Sequence, residues 1–181
     1  MRRDLSPSFN LNRRHLVIGA LGTAALPVAN RALARALDTP ATKQDVAFMR
    51  LALEEAAKGD YPFGAVITRD GKVLASGHST QEHDPTAHGE MAAIHRFLAE
   101  YGAEKLKGTT LYTSGEPCAM CMGAILWCGI ERMVFAASLE QIATKMSLIM
   151  VHAAEIANKT TFADIRITGG VLGEEALALF K

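Results

Sequence analysis

Apolar residues recur along the chain at two spacings, and their alternation predicts a mixed order of helices and strands. Apolar positions three or four residues apart predict one helix from Thr39-Pro40 to about Gly59 and another beginning at His88, since this spacing places them on one helix face. Between these helices, two runs rich in β-formers, 63–69 and 72–77, flank Asp70-Gly71. This pair is typical of a two-residue hairpin turn.

The second half of the chain continues the alternation. Strands are predicted at 109–113, 132–136 and 164–168, and helices at 117–128, 139–158 and 174–180. The full order is α-β-β-α-β-α-β-α-β-α. The sequence therefore predicts a single α/β domain of three layers, α-β-α, in which helices cover both faces of a mixed five-stranded sheet.

The first 36 residues follow a different pattern and predict a targeting segment. Arg13-Arg14 precede an uncharged, moderately apolar stretch, and small residues at alternate positions end at Ala34 and Ala36. Residues 1–36 thus resemble a twin-arginine signal, which predicts export of the folded protein to the periplasm. Residues 37–181 would then form the mature domain. The alternatives are a short amphipathic helix on a cytoplasmic protein and an uncut membrane anchor.

Charge is unevenly divided between these two parts. The formal net charge of the 181 residues is zero, but residues 1–36 hold six arginines and one aspartate. Residues 37–181 consequently carry 13 basic and 18 acidic side chains, a net charge of −5. Because nucleic-acid backbones are bound by an excess of Lys and Arg, this balance disfavours a polynucleotide partner. Three cysteines are too few for a disulfide-rich scaffold. Residues 37–181 contain no apolar run long enough to predict a stable membrane span.

Two predicted helix starts carry metal-binding side chains. His88 begins one helix, and Cys118 and Cys121 lie on one side of the first turn of another. A catalytic zinc site has three protein ligands and leaves a fourth position for water, whereas a structural site has four. Cys128 lies roughly 10 Å further along the same helix and cannot be the fourth ligand. Asp84 or another histidine could still complete a structural site.

Glu90 is the candidate acid–base residue, since it follows His88 closely. Two thiolates and an imidazole acidify a zinc-bound water less than three imidazoles do, so a nearby carboxylate base is needed. The alternative interpretation is a first-turn acid that complements the helix dipole. The pattern H-x-E followed by P-C-x-x-C, formed here by His88, Glu90, Pro117, Cys118 and Cys121, is typical of zinc nucleobase deaminases.

These motifs resemble the cytidine and deoxycytidylate deaminase superfamily, and within it the guanine deaminases and tRNA adenosine deaminases. The matching stretches are PFGAV at 62–66, DPTAHGE at 84–90 and LYTSGEPCAMCMGAI at 111–125. The similarity extends from about Lys43 to Ala137. Thr113-Ser114 resembles the guanine deaminase branch more than the tRNA branch.

The resemblance implies a Zn²⁺ ion held by His88, Cys118 and Cys121. It further implies that a zinc-bound hydroxide attacks the amino-bearing ring carbon of a small nucleobase or nucleoside, with Glu90 as proton shuttle, and that ammonia is released. A small heterocycle would be the substrate, nucleic acid would not be a partner, and the protein would be a homodimer. Guanine is the first substrate expected. The alternatives are a tRNA adenosine deaminase, a cytosine or cytidine deaminase, and a non-enzymatic module stabilised by zinc.

Two residues are candidate substrate contacts by the same resemblance. Phe63 would form a wall of the base site, although a core strand residue is an equal alternative. Ser79 stands nearest to the place where relatives usually carry an Asn that hydrogen-bonds the base. Relatives in the guanine branch also place an acid after the strand at 132–136, and 141–154 contains none. Gly89 replaces the usual Ala of H-A-E, a change expected to cost little.

Overall fold

The computed structural model describes residues 36–181, so the predicted targeting segment lies outside the described residues except for Ala36. The strands are β1 Ala36–Asp38, β2 Gly64–Arg69, β3 Lys72–His78, β4 Thr110–Gly115, β5 Arg132–Ala137 and β6 Ile165–Thr168. The helices are α1 Lys43–Ala56, α2 Gly89–Tyr101, α3 Ala119–Trp127, α4 Leu139–Ala143, α5 Ala153–Lys159 and α6 Gly173–Leu177, with a 3-10 turn at Ala103–Leu106. No helix within 36–181 has the length and apolar character needed to cross a bilayer.

The strands form one mixed sheet in the order β1-β6-β5-β4-β2-β3. The neighbours from β1 to β4 run parallel, whereas β2 is antiparallel to both β4 and β3. The five predicted strands are confirmed as β2 to β6. A sixth strand, β1, extends the sheet by pairing Ala36 with Ile165 and Asp38 with Ile167.

Helices cover both faces of this sheet, as predicted. Strand residues alternate between two buried clusters because successive side chains point to opposite faces. Val66 and Val134 pack in the cluster that includes Met49 of α1. Their strand neighbours Ile67 and Met133 pack in the cluster on the other face, which includes residues of α2, α3 and α5. The three-layer α-β-α architecture is therefore confirmed.

The first helix begins later than its spacing predicted. The Thr39 amide still donates to the carbonyl oxygen of Ile167, 2.9 Å away, which keeps the chain beside the sheet. Thr42 is the N-cap of α1 and forms a capping box with Asp45, which satisfies first-turn N–H groups. The start predicted at Thr39-Pro40 is wrong for this reason. Both carboxylate oxygens of Asp45 also accept from Arg132, at 2.6 and 2.9 Å.

The hairpin between β2 and β3 turns where the sequence predicts it. Asp70 and Gly71 both have positive φ, 50° and 75°. Such a pair matches the right-handed twist of the flanking strands. The turn joins β3, at one edge of the sheet, to β2, which also pairs with β4.

Close backbone contacts bring the start of α2 against the sheet. A Cβ added to Gly77 would lie 2.3 Å from the amide nitrogen of Ala93, and one added to Gly89 would lie 2.7 Å from the carbonyl oxygen of Phe63. Both distances are shorter than carbon atoms tolerate, so the two glycines allow the helix to touch the strands. An alanine at position 89 would require the helix start to move, contrary to the small cost expected from the sequence.

The long helix predicted over 139–158 is wrong. The structure instead has the short helices α4 and α5, separated by the irregular segment 144–152. The buried carboxylate of Glu116 holds both helix starts, because it accepts from the amide of Leu139 at 3.1 Å and from that of Ala153 at 3.0 Å. The segment 144–152 is thereby fixed at both ends without being helical.

Candidate active site

Two helix N-termini converge beyond the carboxyl end of β4. His88 is the N-cap of α2 and Cys118 is the N-cap of α3, and both have extended backbone angles. The chain reaches Cys118 directly from β4, and the amide of Glu116 donates to the carbonyl oxygen of Ala137 at the end of β5. The carboxyl edge of a parallel strand pair followed by a helix N-terminus is where α/β proteins place their sites.

The predicted metal ligands lie together at this point. The ligand atoms of His88, Cys118 and Cys121 all lie within 4.8 Å of one another. His88 Nδ1 is 3.7 Å from Cys118 Sγ. Ligands bonded to one tetrahedral zinc ion at about 2.0–2.3 Å stand about 3.3–3.8 Å apart, so this spacing fits zinc. One imidazole and two thiols are also a donor set typical of zinc.

The alternative fourth ligands are not part of this group. Among the described residues, neither Asp84 nor Cys128 joins the cluster of His88, Cys118 and Cys121. The carboxylate of Asp84 accepts from the amide and the hydroxyl of Thr86. Cys128 follows the last turn of α3 and packs against the core. The donor set therefore has three protein members and leaves a tetrahedral position for a fourth, non-protein ligand.

The thiols of the cluster have strongly displaced pKa values. A hydrogen bond from the Cys121 thiol, helped by His88, lowers the pKa of Cys118 to about 4 although burial opposes this shift. The same hydrogen bond and burial raise the pKa of the Cys121 thiol well above its usual range. Hydrogen bonding with Cys118 also raises the pKa of His88. Cys118 is thus held as a thiolate, which is the form that binds a metal ion.

Glu90 lies in the first turn of α2 with its carboxyl group directed away from solvent. The residue is 3% exposed, and the hydroxyl of Thr113 donates to Glu90 Oε1 at 3.2 Å. Burial raises the pKa of Glu90 above its usual range, and the negative charge at Cys118 acts in the same direction. A surface acid that complements a helix dipole would be exposed, so the structure argues against that alternative.

A cavity of about 290 Å³ opens beside the cluster. Its apolar wall consists of Phe63, Pro85, Met120, Leu139, Ile142, Met146, Leu148 and Ile149. Its polar wall consists of Gln81, His88, Glu90, Glu116, Cys118 and Ser147. A pocket lined mainly by apolar residues, with several polar groups among them, is typical of a site for a small molecule.

The two predicted substrate contacts have different positions. Phe63 lies in the cavity wall, with its ring stacked near that of His88 at a centroid distance of 6.3 Å and in edge contact with Phe180 at 5.3 Å. Ser79 is fully buried and is not among the described wall residues. Its hydroxyl donates to Asp60 instead, and Gln81 lies in the wall.

Two features of the cavity were not found from the sequence. Glu116 lies within a motif used for the zinc ligands, but its contacts with α4 and α5 depend on residues far along the chain. Residues 146–149 line the cavity from the irregular segment between those helices. In the sequence, residues 146–149 belong to a mainly apolar run. Such a run is equally compatible with a helix, so the sequence did not identify it as part of a cavity wall.

The family comparison agrees with this arrangement. The family described as "Cytidine and deoxycytidylate deaminase zinc-binding region" matches residues 42–137, just over half of the chain. The chain belongs to this deaminase family. The matched range contains every residue of the cluster, Glu90 and the strands β2 to β5, but not residues 146–149, which also line the cavity.

Relatives within the deaminase family act on different molecules. Guanine deaminase of Bacillus subtilis is 47% identical over 78 residues, which are 42% of this chain and 50% of that protein. The tRNA-specific adenosine deaminase of Aquifex aeolicus is 38% identical over 96 residues, 50% of this chain and 64% of that protein. This chain thus spans about half to two thirds of the length of these relatives.

A solved structure of the same fold contains a purine analogue. A mutant protein crystallised in complex with 8-azaguanine superposes with a TM-score of 0.64 and 26% identity. The match covers 75% of this chain and 83% of that one. The likeness supports the fold.

Proposed function

We propose that the chain is a zinc-dependent hydrolytic deaminase of a small nucleobase, with guanine as the first candidate substrate. The observation that carries this proposal is the three-member donor set beside the buried Glu90 at the end of an apolar cavity. A structural zinc site would need neither a free ligand position nor a buried carboxylate next to an open pocket. The family membership and the guanine deaminase relative support the same reaction.

In this proposal, His88, Cys118 and Cys121 would hold the zinc ion. When bound, zinc supplies a Lewis acid that lowers the pKa of a water molecule. Glu90 would take up a proton from that water and return it to the leaving nitrogen, and Thr113 would orient its carboxyl group. The overall reaction exchanges the ring amino group for the oxygen of water and releases ammonia. Phe63 would pack against the bound ring.

A small heterocycle suits the described part of the chain better than a nucleic acid does. Residues 37–181 have an excess of acidic side chains, whereas a tRNA substrate requires basic ones. The adenosine deaminase of A. aeolicus keeps the tRNA reaction as the second candidate. Binding of tRNA at low salt that persists at moderate salt would favour that second candidate.

The test is ammonia release by the zinc-loaded full chain from guanine, guanosine, adenine, cytosine, cytidine and triazines. Glu90→Gln is the matched control, because it removes the proton acceptor and leaves the donor set intact. We expect turnover of a purine by the wild type and a loss of about 10²–10⁴-fold in kcat in the variant, with unchanged zinc content. Equal rates in both proteins, or no turnover of any compound by the wild type, would contradict the proposal.

We further propose that the protein is exported folded to the periplasm and acts as a homodimer. The paired arginines, the apolar stretch and the small-residue sites of residues 1–36 support export. Cell fractionation tests it: export should stop when Arg13 and Arg14 are both replaced by Lys. Sedimentation of the purified chain tests the dimer, and a monomer at micromolar concentration would exclude it.

A further inference from the structure

The Ser79 hydroxyl is committed to Asp60. Ser79 Oγ lies 2.6 Å from Asp60 Oδ1, and the serine is fully buried. An ionised carboxylate only accepts hydrogen bonds, so the single hydroxyl proton of Ser79 must point to Asp60. Ser79 cannot then donate to a molecule in the cavity. The hydrogen bond to the base that the sequence predicts for Ser79 must therefore come from another residue.

Asp60 is held in its ionised form. Its carboxylate also accepts from the amide of Glu82 at 2.6 Å and from the amide of Tyr61 at 2.8 Å. Although burial opposes ionisation, these hydrogen bonds and that of Ser79 hold the pKa of Asp60 below its usual range. One carboxylate therefore fastens the loop 79–82 at both of its ends, with Gln81 between them.

The orientation of the Gln81 amide follows from this chain of hydrogen bonds. Gln81 Nε2 lies 3.0 Å from Ser79 Oγ. Because the proton of Ser79 is used on Asp60, Ser79 can only accept from Gln81, so the amide nitrogen and not the oxygen must face it. The other amide hydrogen and Oε1 are the groups with which Gln81 can meet a ligand.

Gln81 is also well placed among the polar residues of the cavity. Apart from the donor set, Glu90 and the helix-holding Glu116, the polar members of the described wall are Gln81 and Ser147. Ser147 belongs to the irregular segment 144–152, whereas Gln81 has its side chain fixed by two successive hydrogen bonds. A side chain fixed before binding loses less conformational entropy when a ligand arrives.

We propose that Gln81 determines substrate specificity by presenting its carboxamide to the polar ring edge of the bound heterocycle. The recognised edge carries a hydrogen-bond donor and an acceptor, which suits a purine with a ring lactam. Ser79 and Asp60 are positioning residues that act through Gln81. This inference rests on the proposed deaminase function, because it assigns the residue that selects the substrate of the same cavity.

The test compares Gln81→Leu with Gln44→Leu, the same substitution at an exposed residue of α1. Binding of guanine is measured in the zinc-loaded Glu90→Gln background, where turnover does not disturb equilibrium, and KM and kcat are measured with Glu90 present. We expect Gln81→Leu to weaken guanine binding and raise KM by about tenfold, with kcat within about twofold of the parent. Gln44→Leu should change binding by less than about twofold, because Gln44 does not line the cavity.

Two further measurements distinguish recognition from a structural role. Guanines methylated at single ring nitrogens should be rejected by the parent, and Gln81→Leu should lose that discrimination at one position. Asp60→Asn keeps an oxygen for Ser79 and Tyr61 but turns an amide N–H toward the amide of Glu82, so it loosens the loop 79–82 and should raise KM with the same selectivity change. If Gln81→Leu does not fold, Gln81→Asn replaces it, since it keeps the amide and withdraws it by one methylene.

The outcomes separate this inference from the function it rests on. If the wild type releases ammonia and Gln81→Leu binds guanine as tightly as its parent, the role of Gln81 is disproved and the deaminase remains. If Gln81→Leu and Asp60→Asn both lower kcat and thermal stability without changing KM or selectivity, Gln81 is a structural residue only. If the wild type turns over no heterocycle, the proposed function fails first.

Discussion

The first four α-helices among the described residues begin in two different ways. Helices α1 and α4 begin at Thr42 and Ser138, and each of these residues forms a capping box with the residue three positions later. Helices α2 and α3 begin at His88 and Cys118, whose side chains make no capping hydrogen bond. Ser, Thr, Asn and Asp are the residues that stabilise a helix start, so the two helix starts of the candidate site give up stability for metal-binding side chains.

Removing a thiol from an uncapped start should have the largest effect. We expect Cys118→Ser to lower the zinc content from about one ion per chain to below about one tenth, and deaminase activity by at least about 10³-fold. Elemental analysis and ammonia release measure these losses. Cys128→Ala is the matched control, because its sulfur lies outside the cluster and should leave both values unchanged. Full zinc content in Cys118→Ser would exclude this residue as a ligand.

Replacing Asp45, which belongs to the capped start of α1, should change the stability of the fold and leave zinc binding unchanged. Asp45 is 1% exposed and bonds Arg132 with both oxygens, while Tyr112 donates to it at 2.9 Å. We expect Asp45→Ala to lower the free energy of unfolding by about 3–5 kcal/mol, because Arg132 is left without its partner. Zinc bound per folded molecule should not change. Urea denaturation measures the stability, and a loss below about 1 kcal/mol would show that the pair contributes little.

The ionisation of Asp45 should make its contribution to the unfolding free energy depend on pH. Burial opposes its ionisation, but hydrogen bonds from Arg132, Thr42 and Tyr112 hold the pKa of Asp45 far below its usual range. A lowered pKa adds stability above the unfolded-state value of about 3.9, and this stability is lost as the pH falls below it. The difference in unfolding free energy between wild type and Asp45→Asn should therefore shrink from pH 7 to pH 3. A constant difference would contradict the assignment.

Converting an uncapped start into a capped one should sharpen the comparison further. His88→Asn places a favourable N-cap at the beginning of α2, so we expect the metal-free protein to gain about 1 kcal/mol in stability. The same change should abolish stoichiometric zinc binding. Denaturation in the presence of a chelator, beside elemental analysis, measures both effects. Loss of zinc without any gain in stability would mean that the helix start is satisfied in another way.

The smallest effect is expected at the cap of α1. Thr42→Ala removes the side chain that accepts from the amide of Asp45 at 3.2 Å, which should cost about 0.5–1 kcal/mol. Zinc content and activity should stay at the wild-type level. Thr42→Ser restores the oxygen and should recover the stability. A change in zinc affinity in Thr42→Ala would show that the two kinds of helix start are energetically coupled.

The sequence predicted best the features that are encoded locally. The Asp70-Gly71 turn and the placement of His88 and Cys118 at helix starts depend only on neighbouring residues, and the structure contains them. The break between α4 and α5 could not be predicted, because α5 begins where the amide of Ala153 donates to the carboxylate of Glu116, which is distant in sequence. Strand β1 has three residues and is stabilised by pairing with β6, so no local pattern marks it.

The substrate side of the site shows the same distinction. The position of Ser79 in the chain suggested a ligand contact, but its hydrogen bond to Asp60 is set by the way two loops meet. The wall residues 146–149 depend on the segment that Glu116 holds at both ends. Motifs therefore predict the reacting end of the cavity, whereas packing between distant segments sets its selectivity.

The contact between Phe63 and Phe180 has a consequence for the order of assembly during synthesis. All three candidate ligands leave the ribosome well before Phe180 does, because they precede it in the chain. The candidate ligands therefore emerge before the aromatic support of the pocket wall does. The wall that Phe63 contributes is supported from behind only once Phe180 has packed against it.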